Sequence, residues 1–342
     1  MTKFKVEKFK KEKKGWVEII VDRIHEGKVL PCISDSISND LTFGSHDDII
    51  EGWAASFDFP TSENGNSGLF DERNNLTLMT QYHSVMSKAD PEIKADDRYI
   101  KEIYLEFLRE ALFSISDEDL LEDLQADVAL NELPFSQVAE RLNVPAFDDG
   151  LNNPLLILAE FPLPIYLTTS YHNLVEVALR KAGKNPRTEI CYWNNHLKSI
   201  PSVFDVDRNY QPSKEEPLVY HLFGVDAYPD SLVLTEDDHL DFLVTISQDI
   251  NAISSRVRQA LAESSLVLLG YTLRSWDFRI LFRGLIKPSE TQRRTKSVAI
   301  QLSANTLEKS YLVNYLSQEA DFEIYWGDTL SFVQELHQGW SE

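Results

Sequence analysis

Several short stretches of this chain hold more hydrogen-bonding side chains than a loop needs for its own backbone. Ser34-Asp35-Ser36-Ile37-Ser38 follows an apolar run that ends at Cys32-Ile33. Hydroxyls of Ser34, Ser36 and Ser38 can donate to a phosphate, while Asp35 repels one, and the glycines that usually form such a turn are missing. A plainer reading makes Asp35 or Ser36 a helix cap. Thr168-Thr169-Ser170-Tyr171-His172 gives five consecutive side chains able to hydrogen-bond, more than one cap requires, with Ser170 or His172 as the cap if there is one. In Val219-Tyr220-His221-Leu222-Phe223-Gly224-Val225-Asp226 the histidine lies within an apolar strand. Strict alternation puts His221 and Phe223 on one face and Tyr220, Leu222 and Gly224 on the other. His221 is then either a proton acceptor, with an ordinary pKa near ~6.5, or a satisfied core residue. Gly270-Tyr271-Thr272 follows another apolar run, where a glycine permits close approach of backbone to a ligand. Trp326 closes the last such run and can stack on an adenine ring or seal the core.

These residues need elements to hold them. Strands are expected over Val29–Ile33, Pro164–Thr169, Glu189–Trp193, Leu218–Leu222, Leu266–Leu269, Ser297–Leu302 and Phe322–Trp326. Helices fit before, between and after them: Trp16–Glu26, His172–Ala182, Glu236–Ile246, Ala252–Ala262, Trp276–Ile286, Leu307–Leu316 and Leu330–Trp340. Thr235 followed by Glu236-Asp237-Asp238 reads as a capped helix start with acids in the first turn. Short apolar strands alternating with amphipathic helices specify an α/β fold, a Rossmann-like parallel sheet with helices on both faces. Such sheets bind ligands at the carboxyl ends of their strands, which is where the unusual residues fall. The stretch 47–147 reads differently, with helical periodicity at Ile103, Leu105, Phe107, Leu108, Ala111 and Leu112 and an acidic segment from Asp117 to Asp127. It is expected as an acidic helical insertion after the first strand. The chain thus divides into a basic leader (1–15), a sheet domain (16–46 and 148–342) and the insertion.

Composition narrows the functions. With 33 Lys and Arg against 55 Asp and Glu, the net charge is −22. That opposes direct binding to nucleic acid, whose affinity rests on cations neutralising phosphates. Only Lys3 to Lys14 is basic, a solvated leader or a contact for nucleic acid or an acidic partner. No apolar run approaches the ~20 residues that span a bilayer, and nothing resembles a signal peptide, so the expectation is a cytoplasmic protein without membrane contact. Two cysteines, Cys32 and Cys191, cannot build a four-cysteine zinc site.

The stretches TTSYHNLVEVAL, GKNPRTEICYW, LVYHLFGVD, PDSLVLTEDDHLDFL and SWDFRILFRGLI, in this order, resemble the sirtuin-like superfamily. Specifically they resemble its divergent prokaryotic branch of NAD-consuming effectors, over Val29 to Trp340. The resemblance implies NAD+ as substrate and cleavage of the nicotinamide–ribose bond, in antiphage-type depletion of NAD+. It also implies a homo-oligomer and a sensor or activator protein as partner. No zinc is expected, because the zinc module of protein-deacetylating sirtuins needs four cysteines. The family's G-A-G-x-S turn falls on Ser34-Asp35-Ser36-Ile37-Ser38 with both glycines lost. Its T-x-N-x-D loop falls on Thr168 to His172, with Ser170 for the asparagine and His172 for the aspartate. Its catalytic His-Gly pair falls on Phe223-Gly224, with His221 two residues earlier.

Nicotinamide leaves as a neutral base, so the reaction asks for a held ribose, a stabilised cation and one directed water. His221, Ser170, His172 and Asp35 are the residues expected to serve catalysis. Ser34, Ser36, Ser38, Thr168, Thr169, Tyr171, Gly224, Asp226, Gly270, Tyr271, Thr272 and Trp326 are expected to line the nucleotide. Two alternatives stay open: a catalytically inactive nucleotide-sensing or oligomerisation module, and an N-glycosidase for another nucleotide.

Overall fold

The computed structural model describes residues 15–342 except 58, 61–74, 128–129, 148–149, 274, 287–297, 303–308, 310–312 and 317–321. The basic leader and the loop from Thr61 to Gly68 lie outside the described residues. Seven strands form one parallel sheet: β1 (Val29–Ile33), β2 (Ile165–Thr168), β3 (Arg187–Ile190), β4 (Leu218–His221), β5 (Ser265–Leu269), β6 (Val298–Leu302) and β7 (Phe322–Trp326). Their order is β3-β4-β2-β1-β5-β6-β7. The chain leaves β1 towards β2 on one side and returns to its other side at β5, so the topological switch point lies between β1 and β5.

Alternation along the strands sends side chains to two cores. Leu30, Cys32, Leu167, Tyr220 and Leu268 face one side, and Val29, Ile33, Tyr166, Val219 and Val267 the other. The second side is covered by the helices Trp16–His25, Pro154–Glu160, Leu174–Lys181 and Thr329–Ser341. The first is covered by Glu236–Gln248 and Ser255–Glu263 and by the insertion, whose helices include His46–Ser56, Leu76–Ala89, Tyr99–Ile115 and Phe135–Leu142. The insertion contributes no strand among the described residues, but it does not own a separate core. Trp53, Tyr104, Leu108 and Phe135 share one cluster with Leu30, Cys32 and Tyr220 of the sheet. The buried pair Lys101–Asp238 (2.9 Å) ties the two further.

Element ends differ from the sequence expectation in a few places. The strand expected at Glu189–Trp193 runs Arg187–Ile190. The helix expected from His172 begins at Leu174, because Ser170 and His172 are engaged in the turn before it. Past Ile280 the helix Trp276–Ile280 widens into a π-helical stretch, Leu281–Ile286.

Candidate functional site

The strand register brings four ends into one row. Thr168 lies opposite both His221 and Ile33, and Ile33 opposite Leu269. At ~4.8 Å between strands this row is ~14 Å long. The residues after it, Ser34, Thr169, Leu222 and Gly270, open four loops at one level. Hydrogen bonds join the loops: Asp35 N donates to Thr169 Oγ1 (3.2 Å), Ser36 Oγ to the Gly270 carbonyl (2.7 Å), and His221 Nδ1 to the Ser170 carbonyl (2.9 Å). Gly270 is required here. Its φ is +75°, and a Cβ would sit 2.7 Å from Ile37 and 2.8 Å from Ser36 Oγ.

Ser34, not Asp35 or Ser36, caps the helix Asp35–Phe43, accepting from Ser36 N. Asp35 is the first helical residue and is buried, so its carboxylate stands at the helix N-terminus. Its Oδ2 accepts from Asn39 Nδ2 (2.8 Å), while Oδ1 has no hydrogen-bond partner. Asn39 Oδ1 faces His172 Nε2 at 3.3 Å. Thr169 Oγ1 donates to Asp277 Oδ2 (3.2 Å), which links a second carboxylate to the first. Burial, then repulsion from Asp277, pushes the Asp35 carboxyl up to about 7. Burial likewise raises Asp277 to about 6. His172 goes the other way: burial and the neighbouring His221 charge push it down to about 3, so it is neutral at pH 7.

His221 is not the free imidazole expected from the sequence. Its Nδ1 is held by the Ser170 carbonyl and its Nε2 by Glu176 Oε1 at 2.9 Å, which also accepts from Thr188 Oγ1. His221 and Glu176 are both buried. Burial opposes the imidazolium, but the Glu176 charge and hydrogen bond and the Ser170 carbonyl hold its pKa above the ordinary value. Nor do His221 and Phe223 share a face. β4 ends at His221, the chain turns, and Gly224 adopts φ +87° against Ser231. His221 therefore meets the helix Leu174–Lys181 on one side of the sheet, while Phe223 packs on Phe242 and His239 on the other. Ser170 is also enclosed, its Oγ accepting from His172 N.

Residues 164–320 match the family model of the SIR2-like domain. Over this stretch, 157 of the 342 residues, the chain is similar to SIR2-like domains. The matched stretch of this SIR2-like domain takes in β2 to β6 and three of the four loops, leaving the Ser34–Ser38 turn outside it. It connects the chain with NAD chemistry. No curated protein matches the chain.

Other expected residues take different places around the SIR2-like domain. Thr168 Oγ1 donates to the Ile33 carbonyl and Tyr171 OH to the Val233 carbonyl, both buried. Ser38 is enclosed in its helix, and Tyr271 is buried next to Thr169 and Asp277. Thr272 is exposed. Gly224 serves the turn after β4, and Asp226 Oδ2 accepts from Ser136 N (2.6 Å), clamping the insertion. Trp326 does not join the row: it ends β7, three strands from β1, with Lys309 Nζ 5.0 Å from its ring. Cys32 and Cys191 are buried and not joined in a disulfide, and among the described residues no group of three His, Cys, Asp or Glu is placed to hold a metal ion. No helix among the described residues is long and apolar enough to cross a membrane.

Two residues of the site were not read from the sequence. Asp277 opens the helix Trp276–Ile280 under a Ser275 cap. His239 sits one turn into Glu236–Gln248, whose start is a capping box between Thr235 and Asp238. Its Nδ1 donates to the Thr235 carbonyl (2.8 Å), and its Nε2 lies 4.0 Å from Asp277 Oδ1. Nothing local in the sequence separates either from an ordinary first-turn residue of a capped helix.

Proposed function

We propose that the chain binds NAD+ or a close relative at the carboxyl ends of β1, β2, β4 and β5 and hydrolyses its nicotinamide–ribose bond. The observation that carries this reading is a set of buried acceptor atoms without partners at the switch point of a SIR2-like sheet: Asp35 Oδ1, His172 Nδ1 and His239 Nε2. Buried polar atoms normally find partners, and orphans gathered in one place point to a ligand that supplies donors. The same end of the sheet carries two carboxylates suited to a cation. As the C1′–N bond breaks, its electron pair stays on nicotinamide, which leaves neutral, and positive charge spreads over the ribose. Asp35 and Asp277 stabilise that charge at short range. Water then bonds to C1′ and gives up a proton, yielding ADP-ribose from NAD+. Depletion of NAD+ by a homo-oligomeric antiphage effector of the divergent prokaryotic branch, answering a sensor or activator protein, is the cellular role that fits this chemistry.

A second reading, a nucleotide-sensing or oligomerisation module without turnover, is favoured by the closed Glu176–His221 pair and by Phe223 standing where the family has its histidine. A third, an N-glycosidase for a different nucleotide, is favoured by the Asp35 carboxylate at the helix N-terminus, the place where a diphosphate would otherwise be received. Incubation of the purified protein with NAD+, NADP+, ATP and nucleosides, followed by chromatography and calorimetry, separates the three. Nicotinamide and ADP-ribose support the proposal. Binding without products supports the sensor, and a free base from another substrate supports the third reading.

A further inference from the structure

Moving His221 out of the site leaves the proposed hydrolysis without its expected imidazole, and resting on that reading we infer that His239 is the catalytic base. Four observations place it. Its ring centroid lies 5.2 Å from that of Phe223, the residue at the family's histidine position, so an imidazole is present one ring away, delivered from a helix instead of the sheet. Its Nδ1–H is fixed by the Thr235 carbonyl, which leaves the lone pair on Nε2. That Nε2 is buried and has no hydrogen-bond partner. Asp277 Oδ1 stands 4.0 Å away, on a side chain one-quarter exposed, so the lone pair has a carboxylate beside it that solvent can reach.

The two atoms form an acceptor pair. A water between them donates one proton to each, which aims its oxygen outward from both, and attack on a ribose carbon then transfers a proton to Nε2. His172 offers no equal alternative. Its ring is wedged on Phe135 at 4.4 Å and held by Asn39, next to Asp35. The charged groups around His239 are Asp277 from the helix Trp276–Ile280, Asp238 beside it, and Lys101 from the insertion, itself paired with Asp238. Burial, aided by the Lys101 charge, outweighs the Thr235 carbonyl and Asp238 and pushes His239 down to about 4, so it is unprotonated and able to accept at pH 7.

The test measures nicotinamide release, nucleotide affinity by calorimetry, and melting temperature for the parent, His239→Gln, and His239→Gln combined with Phe223→His. Loss of a positioned base lowers release by about 100-fold or more. The expected result is that loss in His239→Gln, with affinity within about threefold of the parent, and partial recovery when Phe223→His returns an imidazole to the neighbouring position. His239→Gln turning over like the parent overturns the inference and leaves hydrolysis standing. A parent that releases no base overturns both. If His239→Gln melts far below the parent, His239→Asn assayed below its own melting temperature decides: nicotinamide release lowered about 100-fold supports His239. Release by His239→Asn equal to that of the parent overturns it.

Discussion

Replacing Asp35 by Asn should stabilise the protein much more at pH 8 than at pH 5. Asp35 holds its proton up to about pH 7 in the folded chain, against 3.8 for an ordinary carboxyl. Between these values the folded state binds a proton that the unfolded state has released. Stability therefore falls as pH rises through this window, and the deficit is complete above pH 7. At ~1.36 kcal/mol per pKa unit the full deficit is on the order of 4 kcal/mol, of which about 3 kcal/mol develops between pH 5 and pH 8. Asn is neutral throughout. Its carbonyl can keep the acceptor role towards Asn39, and its amide takes the place of Oδ1 next to the Ser170 hydroxyl. His172 and His239 also titrate with folding, but they are common to both proteins and cancel in the difference. Thermal unfolding of parent and variant at pH 5 and pH 8, at equal ionic strength, should show a gap that widens with pH by roughly 5 °C. A gap independent of pH means that Asp35 titrates as an exposed carboxyl, and the account of it as a buried carboxyl repelled by Asp277 is wrong.

Other perturbations separate the structural residues from the site. Glu176→Gln leaves the buried His221 charge without its partner and should cost about 3 kcal/mol in denaturant unfolding. Because the pKa of His221 is raised, that cost is full below pH 6.5 and fades as pH rises through its folded value. Gly270→Ala forces a side chain into φ +75° and into Ile37 and Ser36, so it should lower both the melting temperature and the nucleotide affinity measured by calorimetry. Ser170→Asn restores the family's amide but adds volume at a fully buried position, so it should cost roughly 1–3 kcal/mol without raising nicotinamide release.

The sheet was legible because five of its strands are short, largely apolar runs buried on both faces, set among helices of a different period. The row of loops at its carboxyl end followed from that alone. What was not legible turns on one residue. Leu218 to Val225 is apolar apart from His221, and alternation continued past the strand end assigns Phe223 to the face of His221. The structure stops β4 at His221, because Gly224 folds the chain back onto Ser231, and the two side chains part to opposite cores. Glu176, which captures His221, reads in sequence as an ordinary acidic residue in a helix first turn. His239 and Asp277 belong to different helices, and only the third dimension sets them 4.0 Å apart.

The exchanges at this site are connected through charge. A turn built of glycines leaves a helix N-terminus open to an anion, whereas here the first helical residue is itself an acid. Asp35 thus occupies with its own carboxylate the field that would receive a phosphate, and burial keeps that carboxylate from sharing its charge with water. Asp277 places a second, partly exposed carboxylate in the first turn of another helix, and Thr169 joins it to the Asp35 backbone. Placing two carboxylates so close favours whatever positive charge can reach them, and the ribose of a departing nicotinamide is such a charge. A protonated histidine would compete for the same carboxylates. His172 and His239 are held neutral by burial, and the one histidine whose pKa is raised, His221, is turned away to Glu176 across the sheet. The arrangement leaves acceptors and negative charge on the ligand's side and puts the cation on the other.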